Sequence, residues 1–105
     1  MTAIDRNACL KLVLPKTLEE QVIDHLLGHP EWVGTFVALR AEGHGAPHSI
    51  ATIAEQVRGR AERVAIEILL DANDALDLIE HLKTDLPNAD IAWWLSPVLA
   101  AGDFS

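Results

Sequence analysis

The stretch Val64–Leu70 (V-A-I-E-I-L-L) decides the fold class, because a short aliphatic run rich in β-branched residues predicts a β-strand. Asp71 or Asn73 can cap a helix that begins directly after it. That helix ends at Pro87 and has apolar residues at helical spacing, namely Ala75, Leu76, Ile79, Leu82 and Leu86. The stretch therefore predicts a strand followed by an amphipathic helix.

A similar strand and helix come earlier in the chain. Ala8–Leu14 (A-C-L-K-L-V-L) places its three leucines at alternate positions, which puts them on one face of a predicted strand. Thr17 and Glu20 then have the spacing of a capping box, in which two side chains bond the first turn of a helix. The apolar residues after them follow helical spacing as far as Gly28, so a first helix is predicted there.

Two further strands, Trp32–Ala41 and Ile91–Leu95, complete the pattern. The order β-α-β-β-α-β predicts an α+β, ferredoxin-like fold with four antiparallel strands and two helices on one face, in a single domain spanning residues 1–105. Two helices cover one face only. The other face is predicted to carry apolar side chains, which favours self-association: Val13, Ala65, Leu69 and one of Trp93 and Trp94.

Composition narrows the classes of partner. The net charge is -8, so free nucleic acid is not expected to bind, because its binding depends on Lys and Arg neutralising phosphates. No apolar stretch approaches the roughly 20 residues of a membrane span, so no membrane insertion is expected. The single cysteine, Cys9, cannot form an internal disulfide. A cytoplasmic protein fits these observations.

Half of the eight basic residues, Arg40, Arg58, Arg60 and Arg63, fall at or between the second and third predicted strands. Guanidinium groups suit recognition of carboxylates or phosphates, and glycines on both sides of His44, at positions 43 and 45, allow backbone amides to approach an anion. This segment is therefore a candidate anion site. The alternative is that the arginines balance acidic neighbours on the same or an adjacent subunit.

The other candidates are histidines and one carboxylate. His44 and His48 are four residues apart, as are two histidines near the end of the first helix, so either pair could supply two ligands to a metal ion. His81 stands alone in the second helix. Glu67 lies between two isoleucines on the side opposite the helices, where it needs an ion-pair partner or a cleft open to water.

The sequence carries no nucleophile elbow, no phosphate-binding P-loop and no dinucleotide fingerprint. With one cysteine and scattered serines and threonines, no catalytic triad is indicated by spacing. We therefore expect that the protein is not an enzyme.

Four short motifs, in this order along the chain, resemble the P-II signalling proteins: Gly43–Gly45 (G-H-G), Glu55–Arg60 (E-Q-V-R-G-R), Ile66–Asp71 (I-E-I-L-L-D) and Trp93–Val98 (W-W-L-S-P-V). The second and fourth resemble more narrowly a P-II-like group whose genes lie beside heavy-metal efflux pumps. The resemblance implies a homotrimer that binds ligands in clefts between subunits. It also implies a T-loop, here residues 42–62, that reports the ligand to a partner protein.

By position, Gly43 and Gly45 match the base of the T-loop, and Glu67 matches a strand residue that lines the P-II nucleotide cleft. The resemblance also makes the T-loop arginines candidates for ligand or partner contact. Two departures limit it. The connection at residues 84–90 is acidic and lacks glycine, whereas P-II proteins have a glycine-rich basic loop there, which puts ATP binding in doubt. The chain also has no tyrosine, so uridylylation of a T-loop tyrosine is excluded.

Two functional hypotheses follow. The first is a regulatory protein that senses an adenine nucleotide or small anion between subunits through Arg40, Gly43, His44, Gly45, Arg58, Arg60 and Glu67, and reports it to a partner that could be a membrane transporter or efflux pump. The second is a metal-binding or metal-tolerance protein of CutA-like trimeric architecture. In that case a divalent transition metal would be held by His44 and His48.

Overall fold

The computed structural model describes residues 6–44 and 61–105. Helices α1 and α2 and strands β1 to β4 follow one another as β1-α1-β2-β3-α2-β4, with a short 3-10 turn at Lys16–Leu18 before α1. Their bounds are β1 Ala8–Pro15, α1 Glu19–Leu27, β2 Phe36–Gly43, β3 Ala61–Leu70, α2 Ala72–Asp85 and β4 Ala92–Pro97.

The strands form one antiparallel sheet in the order β2-β3-β1-β4. β1 lies inside the sheet, with Leu12 opposite Ile66 of β3 on one side and Trp93 of β4 on the other. This arrangement confirms the predicted ferredoxin-like fold with a four-stranded antiparallel sheet. In the described part of the chain, the edge strands of the sheet are β2 and β4.

The core lies between the sheet and the two helices. Alternate residues of β1 and β3 face it, and their side chains are fully buried: Leu10, Leu12, Leu14, Ile66, Ile68 and Leu70. The helices contribute Val22, Leu26, Ala75, Leu78, Ile79 and Leu82. Fully burying one such aliphatic side chain contributes about 1.5–3 kcal/mol, so this single layer supplies most of the apolar stabilisation.

The capping box predicted at Thr17 and Glu20 does not form. The chain leaves β1 through Pro15 into the 3-10 turn, and the backbone N–H of Glu19 donates to the carbonyl of Lys16. The residue before α1, Leu18, makes no side-chain capping bond. The residue before the first turn of α1 is therefore Leu18, one position after the Thr17 that the capping box requires.

The second strand begins four residues later than predicted. The amides of Trp32 and Val33 donate to the carbonyl of His29 at 3.1 and 2.9 Å, so the chain is still turning at these positions. The apolar face of α2 also differs from the prediction. Leu78 is fully buried, whereas Leu76 is 48% exposed, because the helix is rotated relative to the predicted stripe.

The two adjacent tryptophans of β4 point to opposite faces. Trp94 lies opposite Lys11 on the face without helices, and Trp93 lies opposite Leu12 on the helix side. β4 ends at Pro97, two residues later than predicted. Proline has no amide hydrogen with which to continue the ladder.

No helix in the described residues is long and apolar enough to span a membrane.

Asp71 caps α2 and also joins it to the start of β1. Its carboxylate accepts from the backbone amides of Asn73 at 2.9 Å and Asp74 at 3.4 Å, and from the side-chain amide of Asn7 at 3.0 Å.

We predict that Asp71→Ala lowers the free energy of unfolding by about 1–2 kcal/mol, measured by urea denaturation. Asp77→Ala, an exposed change on the same helix, should stay within about 0.5 kcal/mol; equal effects would contradict the capping role.

Candidate functional site

An open cleft lies where β2 and β3 extend past the start of α1. Its volume is 540 Å³, within the range of about 300–1,000 Å³ that is typical of small-molecule sites. Residues 38–42 of β2 and 62–64 of β3 line it, together with Lys16 and Glu19 from the beginning of the first helical segment. The cleft adjoins the two ends of the segment predicted as the T-loop.

The charges around this cleft are balanced. Its described lining holds three basic side chains, Lys16, Arg40 and Arg63, and three acidic ones, Glu19, Glu42 and Glu62. A free anion gains little where opposite charges are equally close. The cleft of one subunit is therefore not by itself a strongly basic anion site.

Arg63 is the buried member of this set. Its side chain is 6% exposed, and its Nη2 donates to Oδ2 of Asp90 at 3.0 Å. Asp90 comes from the connection before β4, so the ion pair ties that connection to β3. Sequence reasoning counted Arg63 among the clustered arginines but did not select it as a site residue. Its position next to the start of a strand gave no indication that it would be buried.

The predicted ligand residues other than Glu67 fall into two groups. Arg40, Gly43 and His44 lie at the end of β2 or just after it, and Arg40 lines the cleft. His44 is exposed, with Nε2 3.5 Å from Oε2 of Glu42. Four candidates, Gly45, His48, Arg58 and Arg60, lie outside the described residues.

Within one subunit, Glu67 lies far from Gly43 at the end of β2. It is opposite Val37, and Gly43 is six residues further along β2, a distance of about 20 Å in an extended strand. Oε1 of Glu67 is 3.3 Å from Nζ of Lys11 on the neighbouring strand. The carboxylate thus has an ion-pair partner in its own chain, and the structure does not bring it together with the loop base.

The helix-free face of the sheet, which we call the open face, is apolar at its edges and charged at its centre. Val37, Leu39 and Trp94 are 52%, 49% and 49% exposed. At the centre, Nζ of Lys11 lies 5.6 Å from the ring centroid of Trp94 and pairs with Glu67. The face was correctly predicted to be largely apolar, although its most exposed aliphatic residues belong to β2 and were not among the predicted ones.

Cys9 also lies on the open face and is partly exposed. Burial raises the pKa of its thiol, and the carboxylate of Glu67 acts in the same direction. The thiol is therefore a poor nucleophile at neutral pH, which makes it a useful chemical probe of this face rather than a candidate catalytic group.

The connection between α2 and β4 turns without a glycine. Asn88 adopts a left-handed backbone conformation, with φ of 58°, that asparagine tolerates better than most residues. The acidic groups beside it are paired within the chain: Asp90 with Arg63, and Asp85 with His25, whose Nε2 is 2.9 Å from Oδ2. The negative charge of this connection is therefore partly neutralised by the guanidinium group of Arg63.

Three histidines, two of which were paired by spacing in the sequence, come together between α1 and α2. The ring of His29 lies 6.2 Å from that of His25, 5.0 Å from Trp32 and 5.2 Å from His81. A hydrogen bond from His29 lowers the pKa of Glu31. Helical spacing paired His25 with His29, but only the packing of the helices adds His81.

These rings do not form a metal site. Within residues 6–44 and 61–105, no group of three or more His, Cys, Asp or Glu side chains is placed to hold one ion. The pair predicted as metal ligands is His44, which contacts Glu42, and His48, which lies outside the described residues. The metal-binding hypothesis thus gains no support from the structure.

The sequence of the whole domain identifies the family. Residues 4–105 match the family model described as "Protein of unknown function (DUF3240)". The chain belongs to the DUF3240 family. No curated protein matches it in sequence.

Solved structures show the same fold at low sequence identity. A DUF3240 family protein from Shewanella baltica has a TM-score of 0.76 and 18% identity, covering 97% of this chain and 100% of that one. CPII from Thiomonas intermedia, a nitrogen regulatory PII-like protein bound to ADP, AMP and bicarbonate, has a TM-score of 0.69 and 12% identity, covering 97% and 100%. A Thermus thermophilus protein described as a putative PII-like signaling protein has a TM-score of 0.63 and 15% identity, covering 88% of this chain and 86% of that one.

The P-II resemblance drawn from four short motifs is therefore confirmed at the level of the fold. This DUF3240 protein shares its fold with PII-like proteins across nearly its whole length. The neighbourhood of heavy-metal efflux pumps stays a prediction.

The Arg63–Asp90 ion pair should stabilise the wall of the cleft. We predict that Asp90→Asn lowers the free energy of unfolding by about 1.5 kcal/mol, because it leaves a buried guanidinium with a weaker partner. The matched control is Glu80→Gln, which breaks the exposed pair with Lys83 (3.6 Å) and should cost under about 0.5 kcal/mol. Denaturation curves showing equal losses would contradict the assignment.

Proposed function

We propose that this DUF3240 protein is a PII-like regulator that assembles through its open face and binds a small anion or adenine nucleotide in clefts between subunits. The observation that carries the proposal is a sheet with helices on one face only, whose other face exposes Val37, Leu39 and Trp94. Support for the ligand class comes from CPII, a structural neighbour bound to ADP, AMP and bicarbonate.

The burial pattern supports assembly through the open face. The three half-exposed apolar side chains lie on β2 and β4, at the two sides of this face, with the Lys11–Glu67 ion pair between them. Burying apolar surface contributes about 25 cal/mol per Å². The ion pair is already formed within the chain, so covering it leaves no isolated charge. A homotrimer is the form that the P-II resemblance implies.

Assembly also bears on the ligand. The balanced charges of the cleft give one subunit little net attraction for an anion, and Glu67 lies about 20 Å along the sheet from Gly43. A second subunit would bring a further set of strand ends and side chains to the cleft. Arg58 and Arg60, within the predicted T-loop, are the additional cations that the sequence offers. A shared site is therefore more favourable for an anion than the cleft of one chain.

The proposed role is regulatory rather than catalytic. Ligand binding would favour one arrangement of residues 42–62, and a partner protein would distinguish that arrangement from others by differential affinity. A membrane transporter is the partner class that the resemblance implies. The cleft adjoins both described ends of this segment, so a bound anion would be in a position to act on it.

The assembly should be sensitive to charge on the open face. We predict that Trp94→Glu shifts the protein from an oligomer to a monomer at micromolar concentration in sedimentation velocity, because it would bury a second carboxylate beside Lys11, whose ammonium group is already paired with Glu67. Leu76→Glu is the matched control, since Leu76 is 48% exposed on α2, away from this face, and should leave the oligomer intact.

Alkylation of Cys9 gives an independent measure of the same contact. Iodoacetamide at pH 8.5 should modify the Trp94→Glu variant faster than the wild type, whose assembled subunits would cover the thiol. A wild-type protein that sediments as a monomer would contradict the proposed assembly.

Ligand binding should depend on Arg40. We predict that isothermal titration with ADP, AMP and bicarbonate detects binding of at least one of them, and that Arg40→Ala weakens it by about tenfold or more, because a charge-assisted hydrogen bond is lost. Lys83→Ala removes a cation of α2 that does not line the cleft and should leave the affinity unchanged. Absence of binding by all three, in protein shown to be oligomeric, would contradict the ligand part of the proposal.

A further inference from the structure

The segment after β4 carries two apolar side chains that lie in solvent. Leu99 and Phe104 are the most exposed large hydrophobic residues of the described chain, and both are fully solvent-exposed. The segment is joined to the body by a hydrogen bond from the amide of Val98 to the carbonyl of Asn7, at 3.0 Å. We call residues 98–105 the tail. Burying a phenyl ring removes about 150–250 Å² from water, so its exposure is unfavourable.

A small apolar groove on the helix side of the sheet matches one such ring. It lies between α2 and the beginning of β4, is lined by Ile79, Leu86, Ile91 and Trp93, and has Lys83 at its rim. Its volume is 160 Å³; apolar cavities of about 150 Å³ are large enough to bind benzene. Trp93, which is 38% exposed, would lose part of that exposure if the groove were filled.

We propose that the tail of a second copy of this chain docks in this groove, with Phe104 as the anchoring side chain. The contact is separate from the assembly through the open face, because the groove lies on the helix side. The proposal does not depend on the identity of the ligand.

The position of the groove argues against occupation by the chain's own tail. β4 begins beside Val13 and ends beside Ala8, so the groove and the start of the tail lie at opposite ends of this strand. They are about 16 Å apart. Phe104 is six residues after Val98, a span of at most about 21 Å, so reaching its own groove would require an immediate and complete reversal.

The surroundings of Asp103 also indicate that the tail stays at the end of the sheet where β4 ends, away from the groove. Hydrogen bonds from Ser105 lower the pKa of Asp103, and the positive charge of Arg6 acts in the same direction. Arg6 lies shortly before β1, so Asp103 lies toward the end of the sheet away from the groove. A second copy can present its tail without such a reversal.

Charge complementarity favours one orientation of the tail in the groove. Asp103 immediately precedes Phe104, and Lys83 is the cation at the rim of the groove. Lys83 is 3.6 Å from Glu80 in an exposed pair, and exposed pairs of this kind contribute little. The ammonium group can therefore turn to the carboxylate of an incoming tail when the ring enters the groove.

Disulfide trapping tests the contact and its origin. In a Cys9→Ser background, Ser105→Cys protein, which keeps Asp103 and Phe104, and Ala89→Cys protein carrying a mass tag are mixed under mild oxidation. A heterodimer of one tagged and one untagged chain is expected, because Ala89 lines the groove. Leu76→Cys, which lies on α2 outside the groove, replaces Ala89→Cys in the control and should give at least tenfold less heterodimer. Heterodimer yields equal to the control would overturn the proposal.

The same two cysteines placed in one chain distinguish a neighbouring tail from the chain's own. Cross-linking between chains supports the proposal, whereas a cross-linked monomer whose yield is independent of dilution overturns it. A charge exchange provides a second measurement. Asp103→Lys should lower the yield of cross-linking between the tail and the groove, followed with Ser105→Cys and Ala89→Cys, and adding Lys83→Asp should restore it. Failure of the restoration, with the fold intact by circular dichroism, would overturn the charge pairing.

These outcomes can be separated from those of the proposed function. Loss of tail cross-linking in protein that still sediments as an oligomer would overturn tail docking alone. An oligomer that persists in Trp94→Glu but dissociates about tenfold more readily in Phe104→Ala would support tail docking and contradict assembly through the open face. Leu27→Ala, which shortens another exposed apolar side chain, is the matched control for Phe104→Ala.

Discussion

The contact between the leucines of β1 and the two helices divides the sheet into a buried face and an uncovered one. Leu10, Leu12 and Leu14 are fully buried in this contact. Side chains alternate across a strand, so Cys9, Lys11 and Val13 must point the other way. The open face, the pairing of Lys11 with Glu67 across it and the cleft beyond the start of α1 all follow from where the helices stop covering the sheet.

Pairing of charges within the chain limits what one subunit can recognise. Glu67 is held by Lys11, and Arg63 by Asp90, although the protein as a whole carries a net charge of -8. The described lining of the cleft beside residues 42–62 is also balanced, with three basic and three acidic side chains. This chain shares its fold with a protein bound to nucleotides and bicarbonate, but the charges that line its cleft are balanced. The contribution of a second subunit is therefore central to the proposed function.

Much of the fold could be predicted because its strands and helices have clear periodicity. β3 was located from its aliphatic run, and Asp71 was one of two proposed caps and is the one that forms. The errors lie where tertiary contacts override a local pattern. Trp32 is β-prone but packs its ring against His29, so the chain turns where a strand was predicted. The buried ion pair of Arg63 joins groups 27 residues apart and had no local signal.

By itself, the sequence determined the order of strands and helices, the helix-covered face of β1 and the apolar character of the opposite face, because these depend on periods of two and of 3.6 residues. Only the tertiary structure decided which tryptophan faces away from the helices, that Glu67 pairs within its own chain, and that His81 joins His29. Register between strands and the rotation of a helix on the sheet depend on the packing of distant side chains, which no short stretch of sequence specifies.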